Sequence, residues 1–341
     1  MKITGIDLIT SPFGKESSTQ YVVTRVLTDE GIYGLGEAHA DIPGGAEALT
    51  EMLSDYAPLL VGRNPLDHAV IWDQLFRGTF WAMSSGPVVT GAISALDTSL
   101  WDIRAKAMGV PLWKAMGGRY RDRLPVCVAS EDPVSFAGKG FPAVKAKLSR
   151  LADVRDAVGE AQDIVAEAAG RIDIECVNRF AEGAENCQLR LLENPCLPIS
   201  PDQYKRAAER TRVPLAGGRL NYTRWGFMPF FRNGSLSTAV LDIGCCGGVT
   251  EFLRIEEMAQ IYGIDVMTCA GAGVIGEAVA LHCGAAAKNY FMHEWNADLD
   301  RSAAVCSYLP EDGFIPVPDT PGIGQDFSEE ALSEAQIRSV R

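Results

Sequence analysis

Apolar and polar residues alternate over roughly the first forty positions of the chain, a pattern typical of β-strands. Residues 20–28 alternate, Asp29-Glu30-Gly31 is a turn signal, and residues 32–38 alternate again, so this segment predicts a hairpin. Apolar residues then recur at helical spacing. The helices predicted from this spacing cover residues 46–60, 65–77 and about 89–107. Strands followed by helices predict an α+β unit of about 120 residues.

Beyond Asp122, short apolar runs recur, with amphipathic stretches between most of them. The runs lie near Leu124, Ala143, Ile172, Leu189, Val213, Ala239, Asp265 and Tyr290. The amphipathic stretches that predict helices include residues 153–169, 202–211 and 250–262. Eight strands that alternate with helices predict a parallel α/β barrel, in which the catalytic groups lie at the C-terminal ends of the strands.

The chain is therefore predicted to have three parts. An α+β capping unit covers residues 1–122, an α/β barrel of the TIM type covers residues 123–310, and a C-terminal segment over residues 311–341 packs back on the capping unit. Pro and Gly punctuate the C-terminal segment, and a short helix is predicted at its end.

Polar residues stand at the C-terminal ends of most of the predicted barrel strands. They are Lys145 and Lys147 on the second strand, Glu175 on the third, Glu193 on the fourth, Arg219 on the fifth, Asp242 on the sixth, Cys269 on the seventh and Glu294 on the eighth. For single members of this set the structural alternative is a solvated strand edge, a polar loop or a small buried cysteine. Their shared position at the strand ends, which meet at one pocket in a barrel, favours a site.

Lys145 and Lys147 lie on one face of the second strand, because alternate residues of a strand share a face. Desolvation and a neighbouring like charge lower the pKa of a lysine, which can then accept a proton at neutral pH. Glu175 and Glu193 carry the oxygen ligands that a hard divalent cation prefers. His39 is within reach of the barrel mouth, although no pattern places it there.

Composition narrows the possible partners of the 341-residue chain. The net charge is −13 and the pI about 4.9, which argues against nucleic acid or an anionic membrane and requires local positive charge for an anionic substrate. No run of about 18 apolar residues predicts a membrane span. The nine cysteines are odd in number and scattered, which predicts reduced thiols in a cytoplasmic protein. No G-x-G-x-x-G fingerprint opens a helix after a strand, so a dinucleotide-dependent oxidoreductase is disfavoured.

Several motifs together resemble the enolase superfamily, and within it the mandelate racemase/muconate lactonizing enzyme-like group that includes the acid-sugar dehydratases. The motifs are Gly34-Leu35-Gly36-Glu37-Ala38, Ala95 through Gly118, Lys145-Ala146-Lys147, Gly247 through Glu251 and Pro316-Val317-Pro318-Asp319. The resemblance implies a capping domain over a modified (β/α)7β barrel, a homo-oligomer, and Mg²⁺ that holds the carboxylate of a small substrate. It also implies that Lys147 is the base, that Lys145 tunes it, and that Glu294 hydrogen-bonds the intermediate.

The chain departs from the pattern of that family at two places. Glu175 and Glu193 stand where the first two of three metal-binding carboxylates are expected, whereas the third place is taken by Arg219, which cannot ligate Mg²⁺. Asp242 is present on the sixth strand, while Cys269 takes the place of its histidine partner on the seventh.

Two hypotheses follow for the metal site. Either Mg²⁺ binds weakly through Glu175 and Glu193, or the guanidinium of Arg219 takes the place of the metal and forks onto these carboxylates. The second is favoured, because an arginine beside two glutamates is expected to pair with them. Cys269 is a candidate second acid or base of an epimerase if its pKa is lowered, although Asp242 would raise that pKa.

The expected reaction is removal of the proton next to the carboxylate of a small hydroxy acid by Lys147, followed by dehydration, with an acid sugar as the favoured substrate. Two alternatives stay open. One is racemisation or epimerisation through the same proton abstraction, and the other is a catalytically silent member of the superfamily that only binds an acidic ligand. No pattern in the sequence identifies the substrate itself.

Overall fold

An antiparallel sheet of four strands forms the N-terminal unit, which we call the cap. The computed structural model describes residues 1–10, 21–84, 86–173, 176–177, 180, 187–269, 271 and 273–341. Three of the four cap strands are β1 (Ile3–Thr10), β2 (Tyr21–Thr28) and β3 (Tyr33–His39). β2 and β3 form the predicted hairpin, with Leu27 opposite Tyr33.

The helices of the cap lie close to their predicted positions. They are α1 (Gly45–Tyr56), α2 (His68–Arg77) and α3 (Pro87–Ala107), and the four-residue α4 (Leu112–Ala115) follows. α3 begins at Pro87, which suits the first turn because an N–H there has no partner within the helix. A Cβ atom at Gly36 of β3 would lie 1.9 Å from the Ala95 carbonyl oxygen. Glycine therefore lets α3 lie directly on the sheet.

Eight parallel strands form a closed barrel, which confirms the predicted fold class. The strands are β4 (Arg123–Ala129), β5 (Ala143–Lys147), β6 (Asp163–Glu167), β7 (Leu189–Glu193), β8 (Leu215–Gly217), β9 (Thr238–Leu241), β10 (Asp265–Cys269) and β11 (Tyr290–Asn296). Each strand pairs with the next one in sequence, and β11 pairs back with β4, where His293 lies opposite Val126. Closure brings the carboxyl ends of all eight strands to one rim.

The third barrel strand lies earlier in the chain than the pattern predicts. A helix over residues 153–169 and a strand near Ile172 are the expectation, and both assignments are wrong. Helix α5 (Leu151–Val158) is followed by Gly159, whose positive φ of 68° favours glycine, and β6 begins at Asp163. The predicted third-strand residue Glu175 lies outside the described residues.

Helices surround the barrel, and the C-terminal segment contacts both units. The described barrel helices after α5 are α6 (Pro201–Ala208), α7 (Thr223–Arg232), α8 (Gly248–Ile261) and α9 (Val274–Ala286). In the C-terminal segment, β12 (Phe314–Pro316) pairs antiparallel with β4, α10 (Glu329–Glu334) follows, and β13 (Gln336–Val340) pairs with β1 as the fourth cap strand. No described helix is long and apolar enough to cross a membrane, and all nine cysteines are free.

A layer of apolar side chains fills the barrel interior below the rim, and we call it the floor. Its members are Cys127, Ala143, Val165, Leu191, Ala216, Val240, Met267 and Met292, and Cys269 packs against them from one layer above. Side chains of a strand alternate between its two faces, so the residue two positions after a floor residue also points inward, one layer closer to the rim. The floor thus determines which residues of each strand can enter the site.

The cap is bound to the barrel by hydrogen bonds between α3 and the start of α8. Buried Asp97 accepts hydrogen bonds from the Thr250 backbone N–H over 2.8 Å and from its hydroxyl over 2.6 Å. The Trp101 indole N–H donates to the same hydroxyl over 2.9 Å. Asp97 therefore satisfies an N–H in the first turn of α8, which has no acceptor within its own helix.

Asp97→Ala is expected to lower the free energy of unfolding by about 2–3 kcal/mol, because it leaves a buried N–H of Thr250 without an acceptor. Urea denaturation followed by circular dichroism measures this loss. The matched control is Asp73→Ala on α2, whose carboxylate forms an exposed ion pair with Arg77. Its cost is expected to stay below about 0.5 kcal/mol, and equal losses in the two variants would contradict the role given to Asp97.

Candidate active site

The inward positions above the floor form a ring of polar side chains, which we call the rim ring. Its members are Lys145 on β5, Glu167 on β6, Glu193 on β7, Asp242 directly after β9, Cys269 on β10 and Glu294 on β11. Most stand two positions after a floor residue, as Glu167 follows Val165. The parallel register places Lys147 opposite Glu167 and Glu167 opposite Glu193. The barrel therefore brings together most of the site residues predicted from the sequence.

Lys145 lies at the centre of the rim ring. Its ammonium is 2.7 Å from Glu193 Oε2, 2.8 Å from Glu294 Oε2 and 3.2 Å from Glu167 Oε2. The lysine side chain is only 9% exposed, and that of Glu193 is fully buried. A buried charge is stable only when opposite charges and hydrogen bonds replace the water it loses. Here one ammonium pairs with carboxylates from three other strands.

Burial and ion pairing shift the pKa values of these groups in opposite directions. Burial alone would lower the pKa of Lys145, but Glu193, Glu294 and Glu167 raise it well above its usual value. Burial alone would raise the pKa of Glu294, but Lys145 and Arg219 lower it to about 2. At Glu193 burial prevails and raises the pKa to about 7. Lys145 is therefore a fixed cation at neutral pH. Ionised Glu294 only accepts hydrogen bonds, so the hydrogen bond to the intermediate that the resemblance implies would need a donor on the intermediate.

Lys147 lies above the rim ring, at the solvent end of β5. Its side chain is 65% exposed, and its ammonium donates to both Glu131 oxygens, over 2.8 and 2.7 Å. Glu131 follows β4 and is also exposed. Contrary to the expectation from the strand pattern, Lys147 is not desolvated beside Lys145, because it is the last residue of its strand. A substrate has to displace Glu131 to reach the Lys147 nitrogen.

Arg219 contacts other carboxylates than the sequence pattern predicts. Its Nη2 lies 2.9 Å from Glu294 Oε1, and its Nε lies 4.0 Å from Asp242 Oδ2. The predicted fork onto Glu193 is wrong, because Lys145 already pairs with that carboxylate. The arginine side chain is 40% exposed, and among the described residues its Nε has no hydrogen-bond partner.

Asp242 has a histidine partner that the sequence pattern did not identify. His39, the last residue of β3 in the cap, places Nε2 3.1 Å from Asp242 Oδ2 and 3.7 Å from the Cys245 sulfur. Burial alone would lower the pKa of His39, but Asp242 and Cys245 raise it well above 6.5. Burial alone would raise the pKa of Asp242, but His39 and Arg219 lower it. Cap and barrel therefore share an ion pair at neutral pH.

His39, Asp242 and Cys245 are also the group of described residues whose histidine, cysteine and carboxylate ligand atoms lie within 4.8 Å of one another. The Cys245 thiol donates to the His39 carbonyl oxygen over 3.4 Å, and burial raises its pKa. The guanidinium of Arg219 lies beside the same carboxylate. A protonated thiol and a neighbouring cation both disfavour a metal ion. We interpret this group as an ion pair with a thiol neighbour.

Cys269 is a buried thiol at the wall of the site. Its sulfur donates to the Leu241 carbonyl oxygen over 3.5 Å. Burial, and then the negative charge of Asp242, raises the pKa of Cys269 well above 9. Acid–base exchange at neutral pH needs a thiol whose pKa is lowered. The hypothesis that Cys269 is a second acid or base is therefore disfavoured.

Glu167 is the barrel residue that the sequence analysis missed, because a helix was assigned over residues 153–169. The signal that could have found it is Ile164-Val165-Ala166-Glu167, in which β-branched residues precede a carboxylate two positions after the inward Val165. The same spacing links Leu191 to Glu193. At the end of the third strand, the structure places Glu167 where the sequence analysis had placed Glu175.

The carboxylates at the ends of β6 and β7 already lie against a cation and N–H donors, although Glu193 Oε2 forms no hydrogen bond among the described residues. Lys145 lies within 3.2 Å of the Oε2 atoms of both Glu167 and Glu193. Glu167 Oε1 accepts a hydrogen bond from the Ala169 N–H over 2.6 Å, and Glu193 Oε1 accepts one from Asn194 Nδ2 over 3.4 Å. Mg²⁺ requires oxygen ligands in place of such donors. The residues as arranged therefore do not fit a Mg²⁺ site.

Comparison with known proteins identifies the family. A family described as enolase C-terminal domain-like matches residues 128–331, and a family described as mandelate racemase/muconate lactonizing enzyme, N-terminal domain, matches residues 8–117. The chain belongs to the enolase superfamily. The family resemblance inferred from the sequence motifs is thereby confirmed.

Several known proteins are similar over nearly the whole chain. A member of the superfamily from Salmonella Typhimurium is 32% identical, covers 100% of both chains and has a TM-score of 0.94. The 3,6-anhydro-D-galactonate cycloisomerase from Zobellia galactanivorans is 25% identical, covers 98% of this chain and 100% of its own, and has a TM-score of 0.90. A D-galactonate dehydratase from Ralstonia nicotianae is 28% identical over 351 residues, 92% of this chain and 91% of the relative.

The His39–Asp242 ion pair predicts a pH-dependent contribution to the stability of this enolase-superfamily protein. The folded-state pKa of His39 is raised, so the contribution is full below the unfolded-state pKa of about 6.5 and is lost as the pH rises through the folded-state value. A double-mutant cycle of His39→Asn and Asp242→Asn is expected to give a coupling energy of about 2 kcal/mol at about pH 6. At about pH 10 the coupling should be much smaller. Urea denaturation measures both coupling energies, and a coupling energy independent of pH would contradict the His39–Asp242 ion pair.

Proposed function

We propose that the protein is an acid-sugar dehydratase. Two similar proteins, a D-galactonate dehydratase and a 3,6-anhydro-D-galactonate cycloisomerase, support an acid sugar as the substrate class. The observation that carries the proposal is the arrangement at the strand ends, where Lys147 lies at the mouth above a second lysine held by carboxylates. The exposed ammonium of Lys147 and the partly exposed guanidinium of Arg219 offer cationic groups to an anionic substrate, although the whole chain has a net charge of −13.

Lys147 is the proposed base, because its nitrogen is exposed at the mouth whereas that of Lys145 is buried. The amine of Lys147, once released from Glu131, takes the proton from the carbon next to the substrate carboxylate, and the electron pair moves onto that carboxylate as an enediolate. The enediolate expels the hydroxyl on the following carbon, and the ammonium formed on Lys147 returns its proton, so that water leaves and the base is regenerated. The remaining enol becomes a 2-keto-3-deoxy acid.

Glu294, Asp242 and His39 are positioning residues in this proposal. Glu294 accepts hydrogen bonds from Lys145 over 2.8 Å and from Arg219 over 2.9 Å, and so it keeps both cations beside the place of the substrate. His39 pairs with Asp242 and thereby balances the charge of a buried carboxylate. No step of the proposed mechanism uses Mg²⁺, because the described residues do not fit the ion.

Dehydration is favoured over racemisation or epimerisation, because those reactions need a second group that delivers a proton to the opposite face of the substrate. Cys269, the candidate for that role, is a buried thiol with a raised pKa. The second candidate function is a silent superfamily member that only binds an acidic ligand, and Arg219 in the place of a metal-binding carboxylate favours it. The formation of a homo-oligomer and the absence of nucleic-acid binding stay predictions.

Lys147→Met is expected to slow dehydration of D-galactonate, or of the acid sugar that a library screen shows to react, by at least about a thousandfold. It should also abolish exchange of the α-proton with deuterium from D₂O, because the same nitrogen takes that proton. NMR spectroscopy measures product formation and exchange together. The matched control is Lys114→Met on α4, an exposed lysine of the cap, which should leave both rates unchanged. Full activity of Lys147→Met would remove Lys147 from the mechanism, and a wild-type protein inert toward all acid sugars would favour the silent member.

A further inference from the structure

Two cations of the site, Lys145 and Arg219, lie among the carboxylates at the carboxyl ends of the barrel strands. We propose that the protein binds the carboxylate of its substrate through the guanidinium of Arg219, supported by the ammonium of Lys145, and without a divalent metal ion. The inference rests on the proposed function for the class of ligand, an acid sugar. Its metal-binding test is independent of that function.

The first argument is that a metal ion would have to displace groups that neighbouring side chains hold in place. Lys145 lies 2.7 Å from Glu193 Oε2, and Glu294 holds the same ammonium from the other side over 2.8 Å. The Tyr204 hydroxyl donates to Asn194 Oδ1 over 3.2 Å. This bond fixes the amide with its nitrogen toward Glu193 and leaves no amide oxygen for a cation. An ion would therefore break an ion pair and turn an amide before it gained its ligands.

The second argument is the charge of the site. A carboxylate in the place of Arg219 would contribute one negative charge, whereas the guanidinium contributes one positive charge. The difference of two charges equals the charge of one Mg²⁺ ion. With Arg219 in this place, the site reaches through its own side chains the charge that a site of three carboxylates reaches only with a bound divalent cation.

The third argument is that the Arg219 side chain is 40% exposed and so reaches the mouth. Its Nη2 bonds Glu294, while its Nε is buried and has no hydrogen-bond partner among the described residues. Parallel N–H groups of a guanidinium match the two oxygens of a carboxylate and bind them more specifically than a point charge does. Because Glu294 bridges Arg219 and Lys145, the two cations are held close to one another for a single anionic group.

Metal binding gives the first test. The wild-type protein is dialysed to equilibrium against Mg²⁺ without substrate, and the metal content on both sides of the membrane is measured by elemental analysis. We expect no Mg²⁺ on the protein above the level of the buffer. One tightly held ion per chain would overturn the proposal, whatever the protein catalyses.

Ligand binding gives the second test. Titration calorimetry with D-galactonate is carried out once in EDTA and once in Mg²⁺, with Lys147→Met as the protein so that turnover does not interfere. We expect the two dissociation constants to agree within about twofold. Mg²⁺ that tightens binding by about tenfold or more, or a protein that binds no D-galactonate in EDTA, would overturn the proposal.

Substitution of Arg219 gives the third test, in the same EDTA buffer. Arg219→Gln removes the positive charge and the paired N–H groups that bind a carboxylate in a bidentate way. It is expected to weaken D-galactonate binding by about a hundredfold. The matched control is Arg190→Gln, an exposed arginine near the start of β7, at the end of the barrel opposite the mouth. It should bind D-galactonate as before. If Arg219→Gln does not fold, Arg219→Lys keeps the charge without the paired N–H groups and should weaken binding by about tenfold. Unchanged binding in a folded Arg219 variant would overturn the proposal.

The outcomes separate this inference from the proposed function. Product formed only in the presence of Mg²⁺ would support the dehydratase and overturn the metal-free carboxylate site. D-Galactonate bound in EDTA with no product from any acid sugar would support the metal-free site and overturn the dehydratase.

Discussion

The ion pairs of Lys145 are the constraint on which the rest of the site depends. One buried ammonium at the end of β5 is held by carboxylates from β6, β7 and β11, and loss of this ammonium would leave buried carboxylates without their shared counter-ion. Glu294, which pairs with Lys145, also pairs with Arg219. The guanidinium of Arg219 points toward β11 because Glu193 is already paired with Lys145. Lys147 extends to the mouth, since the inner place on its strand is taken. The chemistry of the site thus starts from a fixed cation.

The sequence could predict those parts of the site that depend on local alternation. A floor residue followed two positions later by a polar inward residue is visible in the sequence at Glu193 and Glu294 without any tertiary information. The third strand was missed because the run before Glu167 is too short for periodicity to distinguish strand from helix. The contact between His39 and Asp242 joins residues from different units of the chain, and no local pattern records how the cap lies on the barrel.

The cap contributes charge to the site as well as cover. The cap has a hydrophobic cluster of its own, and a second cluster joins cap residues such as Leu35 to barrel residues such as Leu124, so apolar packing alone could hold the two units together. Yet His39 places a cation on a buried barrel carboxylate, and Asp97 provides the acceptor that the first turn of a barrel helix lacks. Moving the cap away from the rim would leave both carboxylates without these partners. Closed packing of the two units is therefore favoured by electrostatics in addition to apolar burial.

The pairing of β13 with β1 sets the order in which the two units can be completed during translation. Ile6 lies opposite Val340, so the partners are 334 residues apart. A nascent chain emerges from the ribosome N-terminal end first, and β1 then has an open edge until the residues of β13 have been synthesised. All eight barrel strands leave the ribosome before β13 does. The cap, although encoded first, is thus the unit that acquires its last strand after the barrel strands are available, and the nascent chain must keep that edge from pairing with other strands in the meantime.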